Sequence, residues 1–456
     1  MTAVLRAGAG RAVIDVPAAA YPVDGFTGVH DQLRARVVVL EDGADRVALT
    51  VVDQTSVFAE TVDRLKGIVA AAADVPAGNA LICASHTFSA PHVLSAAQLD
   101  TATEAERRRH ALLRAALDGA VLAAATAAVR QLRPARAGFG SGVCSVNVNR
   151  DVRTADGWWL GADDGGVSDK TVRVGRIEDL AGRPIAVLVN YGVQSSVMNE
   201  SWTDDGGKLV TADLAGATAR HVEREYDDEA VALFLVGAAG DQAPYLTANA
   251  HTVDRAGRPG RADVGETGFL LVDLLGRRLG AEAVRVCESI RPTEDEPRLE
   301  VVRGTARVGT QIAPKSFKDL RPTTSHPFEP DGEEDVPIAL VRLGDAVLVG
   351  VRPELTAATG IAVGQRSPFP HTMVLTMVDG AAKYMADRGS YDRITYAAMN
   401  SRYARGAAET VSERIAELLD ALHEREPDAL CEPDTPHEPE GLGGPEELGG
   451  PEKLTR

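Results

Sequence analysis

Residues Asn79 to His92 read NALICASHTFSAPH, and this stretch decides the fold. Ala80-Leu81-Ile82-Cys83 is a short apolar run of the kind that forms a buried strand. It stops at Ala84-Ser85 and opens into the loop His86-Thr87-Phe88-Ser89-Ala90-Pro91-His92. Open α/β sheets hold their ligands just past the carboxyl ends of their strands, and His86 stands at such an end. A histidine there also serves as a strand cap with its ring bonded to backbone, so the surrounding chain must decide between the two.

Upstream, Leu33–Leu40 (LRARVVVL) and Arg46–Val52 (RVALTVV) read as strands joined by the turn Glu41-Asp42-Gly43, after a first short strand over Arg11–Val16. Ala59–Ala73 (AETVDRLKGIVAAAA) has the helical period, so the order strand, helix, strand predicts a βαβ unit. Downstream, Thr103–Leu132 predicts a long alanine-rich helix on which Arg107-Arg108-Arg109 is a solvated face. Asn147–Gly166 is polar and glycine-rich and reads as a loop, with Trp158-Trp159 as a lid or a packed anchor.

Lys170–Ile177 and Pro184–Tyr191 (PIAVLVNY) predict a hairpin turning at Ala181-Gly182. A helix over Leu209–Tyr226, a buried strand over Ala230–Val236 and a helix over Leu270–Ile290 follow. Arg298–Gly309 and Pro337–Val351 are strand-rich, Glu354–Gly364 is helical, Thr372–Val378 is a strand and Ser401–His423 a terminal helix. Alternation of this kind predicts one α/β domain over residues 1–425, with sheets flanked by helices. Residues 426–456 turn to Pro, Glu and Gly, with nine acidic against two basic residues, and read as a disordered acidic tail.

Across all 456 residues, hydrophobic content of 44% suffices for a core, but aromatics at 4% leave it to Val, Leu, Ile and Ala. Cys83, Cys144, Cys287 and Cys431 show no paired spacing, which excludes a disulfide framework and a cysteine-built zinc site. With no signal peptide in MTAVLRAGAGRAVIDV, the expected location is cytoplasmic. A formal charge of −18 and no long apolar run argue against nucleic acid and membrane as partners, which leaves a small-molecule substrate.

Several apolar runs end in a polar residue: RVALTVV at Asp53, NALICAS at His86, IAVLVN before Gln194 and Ser195, AVALFLVG before Asp241, and VLVGV before Arg352-Pro353-Glu354. Parallel strands would bring these side chains to one crevice. Histidine and carboxylates gathered there suit zinc, which keeps an open position when catalytic and lowers the pKa of bound water towards ~7. There is no HExxH, GxSxG or GxxxxGK[ST], and Gly8-Ala9-Gly10 is too short for a dinucleotide fingerprint.

At these residues the chain resembles the neutral, non-lysosomal ceramidase family, in order from about Ala7 to Glu409. AGAGRAVIDV and GFTGVHDQLRARVVVLEDG are similar to its opening, ASHTFSAP to its Thr-His-Thr-His-Ser-Gly-Pro, and NVNRD to its Asn-Arg turn. PIAVLVNYGVQSS resembles its Asn-Phe-x-x-His segment, GAAGDQAP its Gly-Asp-x-Ser-Pro, VRPELTAATG its Pro-Gly-Glu, and KYMADRGSYD its tyrosine segment. The resemblance implies a neutral-ceramidase-like domain of mixed sheets and a zinc ion on His86, Glu354 and Tyr384, with His30 or His92 as substitutes. It further implies catalytic roles for Asp241, Asp53 and Tyr391, and substrate contacts from Asn149, Arg150, Gln194 and Phe88. The sequence departs from the family at three places: Phe88 replaces the second loop histidine, Gln194 a ligand histidine, and Ala243 the serine.

Three functions follow as expectations. The first is zinc-dependent hydrolysis of an amide C–N bond in a small polar substrate other than ceramide. The second is the same scaffold repurposed to form or cyclise an amide in small-molecule biosynthesis. The third is a binding protein with a dead site.

Overall fold

The computed structural model describes residues 4–292 and 298–425, and in it Ala80–Ala84 is a strand buried along its whole length. It pairs in parallel with Arg46–Val52 through the helix Ala59–Ala73, so the βαβ unit forms as read. Asp74, in the left-handed region at φ 50°, ends that helix and turns the chain back towards the sheet. An eight-stranded sheet grows from this unit. Its order is Val231–Val236, Pro184–Tyr191, Thr171–Asp179, Arg133–Val143, Arg6–Val13, Arg34–Glu41, Arg46–Val52 and Ala80–Ala84. Only the two outermost pairs are parallel, so the sheet is mixed.

The apolar runs are continuous because these strands are buried on both faces. In Arg34–Glu41, Val37 and Val39 pack with the helices Ala59–Ala73 and Glu104–Arg130, while Val38 and Leu40 face an inner core. Pro184–Tyr191 alternates likewise, with Leu188 inside and Val187 and Val189 against the helices Asp213–Glu225 and Gly268–Ser289. A second sheet, Leu299–Gln311, Pro330–Leu343, Ala346–Val351 and His371–Leu375, adds Leu348 and Leu375 to the same inner core. The helix Ala407–Glu424 covers its other face. The two sheets thus share one interior with helices on their outer faces, their strands serving two cores by the period of two.

Glu104–Arg130 is, among the described residues, the one helix long and apolar enough to cross a membrane. Here Leu113, Leu117, Val121 and Ala124 lie in the core instead. Gly8 and Gly10 allow its close approach, since a Cβ on either would stand 2.1 Å from Ala128 O or 2.2 Å from Ala124 O. The Gly-Ala-Gly run is a helix-packing surface.

Four sequence readings are corrected. The supposed loop Asn147–Gly166 is a hairpin of Asn147–Thr154 and Gly157–Asp163, whose buried polar side chains bond to carbonyls such as Gly192 O, Val167 O and Gly240 O and to Asp241 and Gln194. The helix expected from Leu209 begins at Asp213, because Lys208–Val210 first pairs with Phe26–Val29. Glu354–Leu355 is a two-residue strand beside Tyr384–Met385, and the helix follows at Ala357–Arg366. The first strand, Arg6–Val13, starts earlier than expected because its Gly and Ala positions pair with Arg34–Glu41. The acidic stretch 426–456 lies outside the described residues.

Candidate active site

The loop after Ala80–Ala84 runs beside the loop after Pro184–Tyr191: Thr87 bridges Ser195, and Phe88 N–H donates to Ser195 O at 3.1 Å. Two strand ends from opposite sides of the sheet therefore meet. His86 sits at the junction in the left-handed region, φ 61°, a conformation that costs a non-glycine residue energy and is retained mostly where function or packing demands it. Its ring is buried and its Nδ1 lies 2.6 Å from Thr55 O. A carbonyl can only accept, so Nδ1 carries the proton and Nε2 points the other way.

Nε2 faces Glu354 Oε2 at 3.1 Å, off the line of a good hydrogen bond, and no other polar atom partners it. Gln194 Nε2 donates to the same carboxylate oxygen at 2.7 Å, and Gln194 Oε1 accepts from Arg150 Nη1 at 2.8 Å. Arg150 Nη2 donates to Gly240 O at 2.6 Å, and its guanidinium lies over the Tyr384 ring at 4.9 Å and the Tyr396 ring at 5.5 Å. Glu354 and Tyr384 are register partners in a parallel pairing, so both side chains leave it on one face. His86, Gln194, Glu354, Arg150 and Tyr384 form one buried group.

The charges follow from these contacts. Burial alone would lower the His86 pKa, but the Glu354 carboxylate beside it raises it. Burial would raise Glu354, and His86 with Gln194 holds it below the usual carboxylate range. Arg150 stays charged despite burial because Tyr384 and Glu354 surround it.

A lone pair on Nε2 cannot sit 3.1 Å from a carboxylate oxygen unless a proton or a cation lies between them. Among the described residues no three His, Cys, Asp or Glu side chains gather into a metal-holding group. His86 Nε2 and the Glu354 carboxylate would hold a divalent cation here, with Tyr384, which leaves its strand on the same face as Glu354, as the candidate third donor. Gln194 does not add a fourth, since Arg150 claims its oxygen.

A cavity of about 490 Å³ opens on this group, lined by Phe88, Arg150, Gln194, Ala243 and Tyr384 among others. The Phe88 ring packs against His86 at 4.8 Å, which removes water from one side of the imidazole. Trp159 meets Tyr396 edge-on at 5.6 Å, and Trp158 lies under Arg393, so the tryptophan pair is an anchor.

Other expected site residues have different work. Asp53 is buried in an ion pair with Arg36 and accepts from Arg34 N–H, away from the His86 group. Asp241 spends its oxygens on Asn149, Gln242 and the Ala357 N–H, which ties the strand end to the helix after Glu354. Asn149 supports Asp241 and Val167 O and does not line the cavity. Tyr391 donates its hydroxyl to Tyr403 O, inside a cluster with Phe328. His30 stacks on Phe269 and His92 pairs with Asp24, so neither replaces the missing ligand. Strand-end position alone does not say whether a side chain faces a cavity or a neighbour. Tyr396 and the basic residues of Ser316–Arg321 also line the cavity without having been singled out by the sequence, where the SFKDLR run is the available signal for the latter.

Asp151 gives a pH prediction. Burial, with Asp241 adding to it, pushes its carboxyl from 3.8 up to about 7 against the pull of Arg150 and Arg393. The folded state then holds this proton more tightly than the unfolded chain. The stabilisation is complete below the ordinary carboxylate range and is lost as pH rises through about 7. Asp151→Asn therefore flattens the dependence of the urea midpoint on pH between about 4 and 7. An unaltered slope would remove this assignment.

No family model matches the sequence, and no curated protein matches it. Among solved structures, neutral ceramidase from Pseudomonas aeruginosa is similar at a TM-score of 0.67, with 20% identity over 94% of this chain and 76% of that one. A structure described as ceramidase complexed with C2 is similar at 0.66, with 20% identity over 93% and 76%. The mixed sheets flanked by helices match that fold. The chain has the neutral ceramidase fold in divergent form.

Proposed function

We propose that this protein is a metal-dependent hydrolase of an amide C–N bond in a small polar substrate. One observation carries the reading: His86 Nε2, its tautomer set by Thr55 O, faces the buried Glu354 carboxylate at 3.1 Å. The solved relatives, described as ceramidases, suggest the bond.

A divalent cation at these donors supplies Lewis-acid polarisation of the amide carbonyl. Thr55 O keeps His86 in the liganding tautomer, as carbonyl partners do for metal-binding imidazoles. Gln194 fixes the carboxylate of Glu354 and passes the pull of Arg150 to it. Arg150 and the Tyr396 ring orient the substrate from the cavity side. Ala243 offers no side-chain nucleophile, so water from the cavity attacks. A cavity of about 490 Å³ matches a ligand of drug size and is small for a long-chain lipid.

Metal analysis of the purified protein tests the reading. Zinc should co-purify stoichiometrically, and His86→Ala and Glu354→Gln should each lose most of it. Wild type without metal after zinc loading would overturn the hydrolase and leave an imidazolium–carboxylate pair at the site.

A second reading rests on Phe88. Its ring dries one side of His86, which favours a reaction that expels water, such as closing a ring by amide formation. Mass analysis after incubation with amino-acid-derived amines and acids separates the two, by loss of water rather than gain. Binding without either change would mark a binding protein.

A further inference from the structure

We propose that the substrate carries an anionic group, a carboxylate or a phosphate, received by Lys318 and Arg321 while its amide lies against His86 and Glu354. This rests on the hydrolase reading for the amide, but the anion site stands on its own residues. The cavity wall carries Arg150, Arg261, Lys318 and Arg321 against one carboxylate, Glu200. Glu200 Oε2 is already paired with Arg261 Nη2 at 3.1 Å, so it cancels none of the other three cations. The formal charge of the whole chain is −18, so a surplus of cations here does not follow from composition.

The geometry of Ser316–Arg321 makes these two residues a receptor rather than loose surface charge. The Ser316 hydroxyl accepts from Lys318 N–H at 3.2 Å and shapes the turn Phe317–Asp319. Leu320, 8% exposed, anchors the segment between the two cations. Arg321 Nη1 donates to Lys318 O and Leu320 O, each at 2.6 Å, which holds its guanidinium beside Lys318 with other N–H groups to spare. Neither cation has an ion pair among the described residues. Trp159, Tyr245 and Leu246 supply apolar wall across the same cavity, which suits an acyl or aromatic part between the amide and the charge. A guanidinium and an ammonium side by side recognise carboxylate and phosphate alike. A neutral amide offers neither cation a counter-charge.

Calorimetric titration of the full chain tests this with one scaffold bearing three ends: N-acetyl-L-tyrosinamide, N-acetyl-L-tyrosine and N-acetyl-O-phospho-L-tyrosinamide. At least one anionic form should bind more than about tenfold tighter than the neutral amide, as charge-assisted hydrogen bonds imply. Which of the two does so tells carboxylate from phosphate. The preference should shrink at high salt and vanish in Lys318→Ala/Arg321→Ala, whose exposed positions leave the fold intact. Equal affinities for all three, including no measurable binding of any, or a preference that survives the double variant, overturn the proposal. Turnover is scored separately. A charge preference without amide cleavage removes the hydrolase and keeps the anion site, and cleavage without charge preference does the reverse.

Discussion

Gln194→His raises the affinity of this site for zinc by more than about tenfold, the scale on which changes next to a metal register. Gln194 Nε2 stands 2.7 Å from the Glu354 oxygen that His86 Nε2 approaches at 3.1 Å. An imidazole in its place puts a second nitrogen beside the same carboxylate. Zinc takes imidazole readily, whereas a neutral amide oxygen competes poorly, and here that oxygen is committed to Arg150. Arg150 loses one acceptor in the variant but keeps Gly240 O and its place over two tyrosine rings. Competition against a chelating dye measures the gain, with Gln194→Asn as the control that adds no imidazole. Adding Ala243→Ser then returns a hydroxyl to the cavity wall and should raise amide turnover further. An affinity unchanged by the histidine would mean that the group around Glu354 is not a metal site.

The fold was legible where one physical demand acted alone. Arg46–Val52, Ala59–Ala73 and Pro184–Tyr191 have the limits read for them, because burial on two faces writes an unbroken apolar run and burial on one writes a helical period. Asn147–Thr154 failed that reading, since five of its residues are polar or charged and buried, and their partners lie far along the chain. Asn149 reaches Asp241 and Arg150 reaches Gln194, and no local pattern shows either. The same limit governs the site. His86 and Glu354 stand past strand ends and so do Asp53 and Asp241, yet only the first two face each other, behind the cavity-lining Gln194 and Tyr384. What separates them is tertiary: Asp53 finds Arg36, and Asp241 finds the amide of Ala357.

That ion pair of Asp53 predicts a large stability effect. Arg36 is 2% exposed, its Nε lies 2.9 Å from Glu223 Oε1, and its Nη1 lies 3.4 Å from Asp53 Oδ2. Arg11 and Arg34 approach Glu223 only at 3.4 Å and 4.0 Å, from partly exposed positions. Burial raises the Asp53 carboxyl even with Arg36 present, whereas Arg36 holds Glu223 below its ordinary range against burial. Arg36→Ala leaves two buried carboxylates with only the more distant guanidinium groups of Arg11 and Arg34 beside Glu223, and breaking such a pair from one side costs about 3–5 kcal/mol. Both carboxyls then gain protons in the folded state, so the loss should be greatest above neutral pH and smaller near pH ~5. Arg36→Met with Glu223→Leu and Asp53→Asn removes the charges together and should recover much of the difference, because well-packed apolar groups replace buried ion pairs at little cost. Urea unfolding at two pH values measures all of this. A single variant that loses less than about 1 kcal/mol, the level of a surface pair, would show that Arg36 does not tie the eight-stranded sheet to the helix Asp213–Glu225.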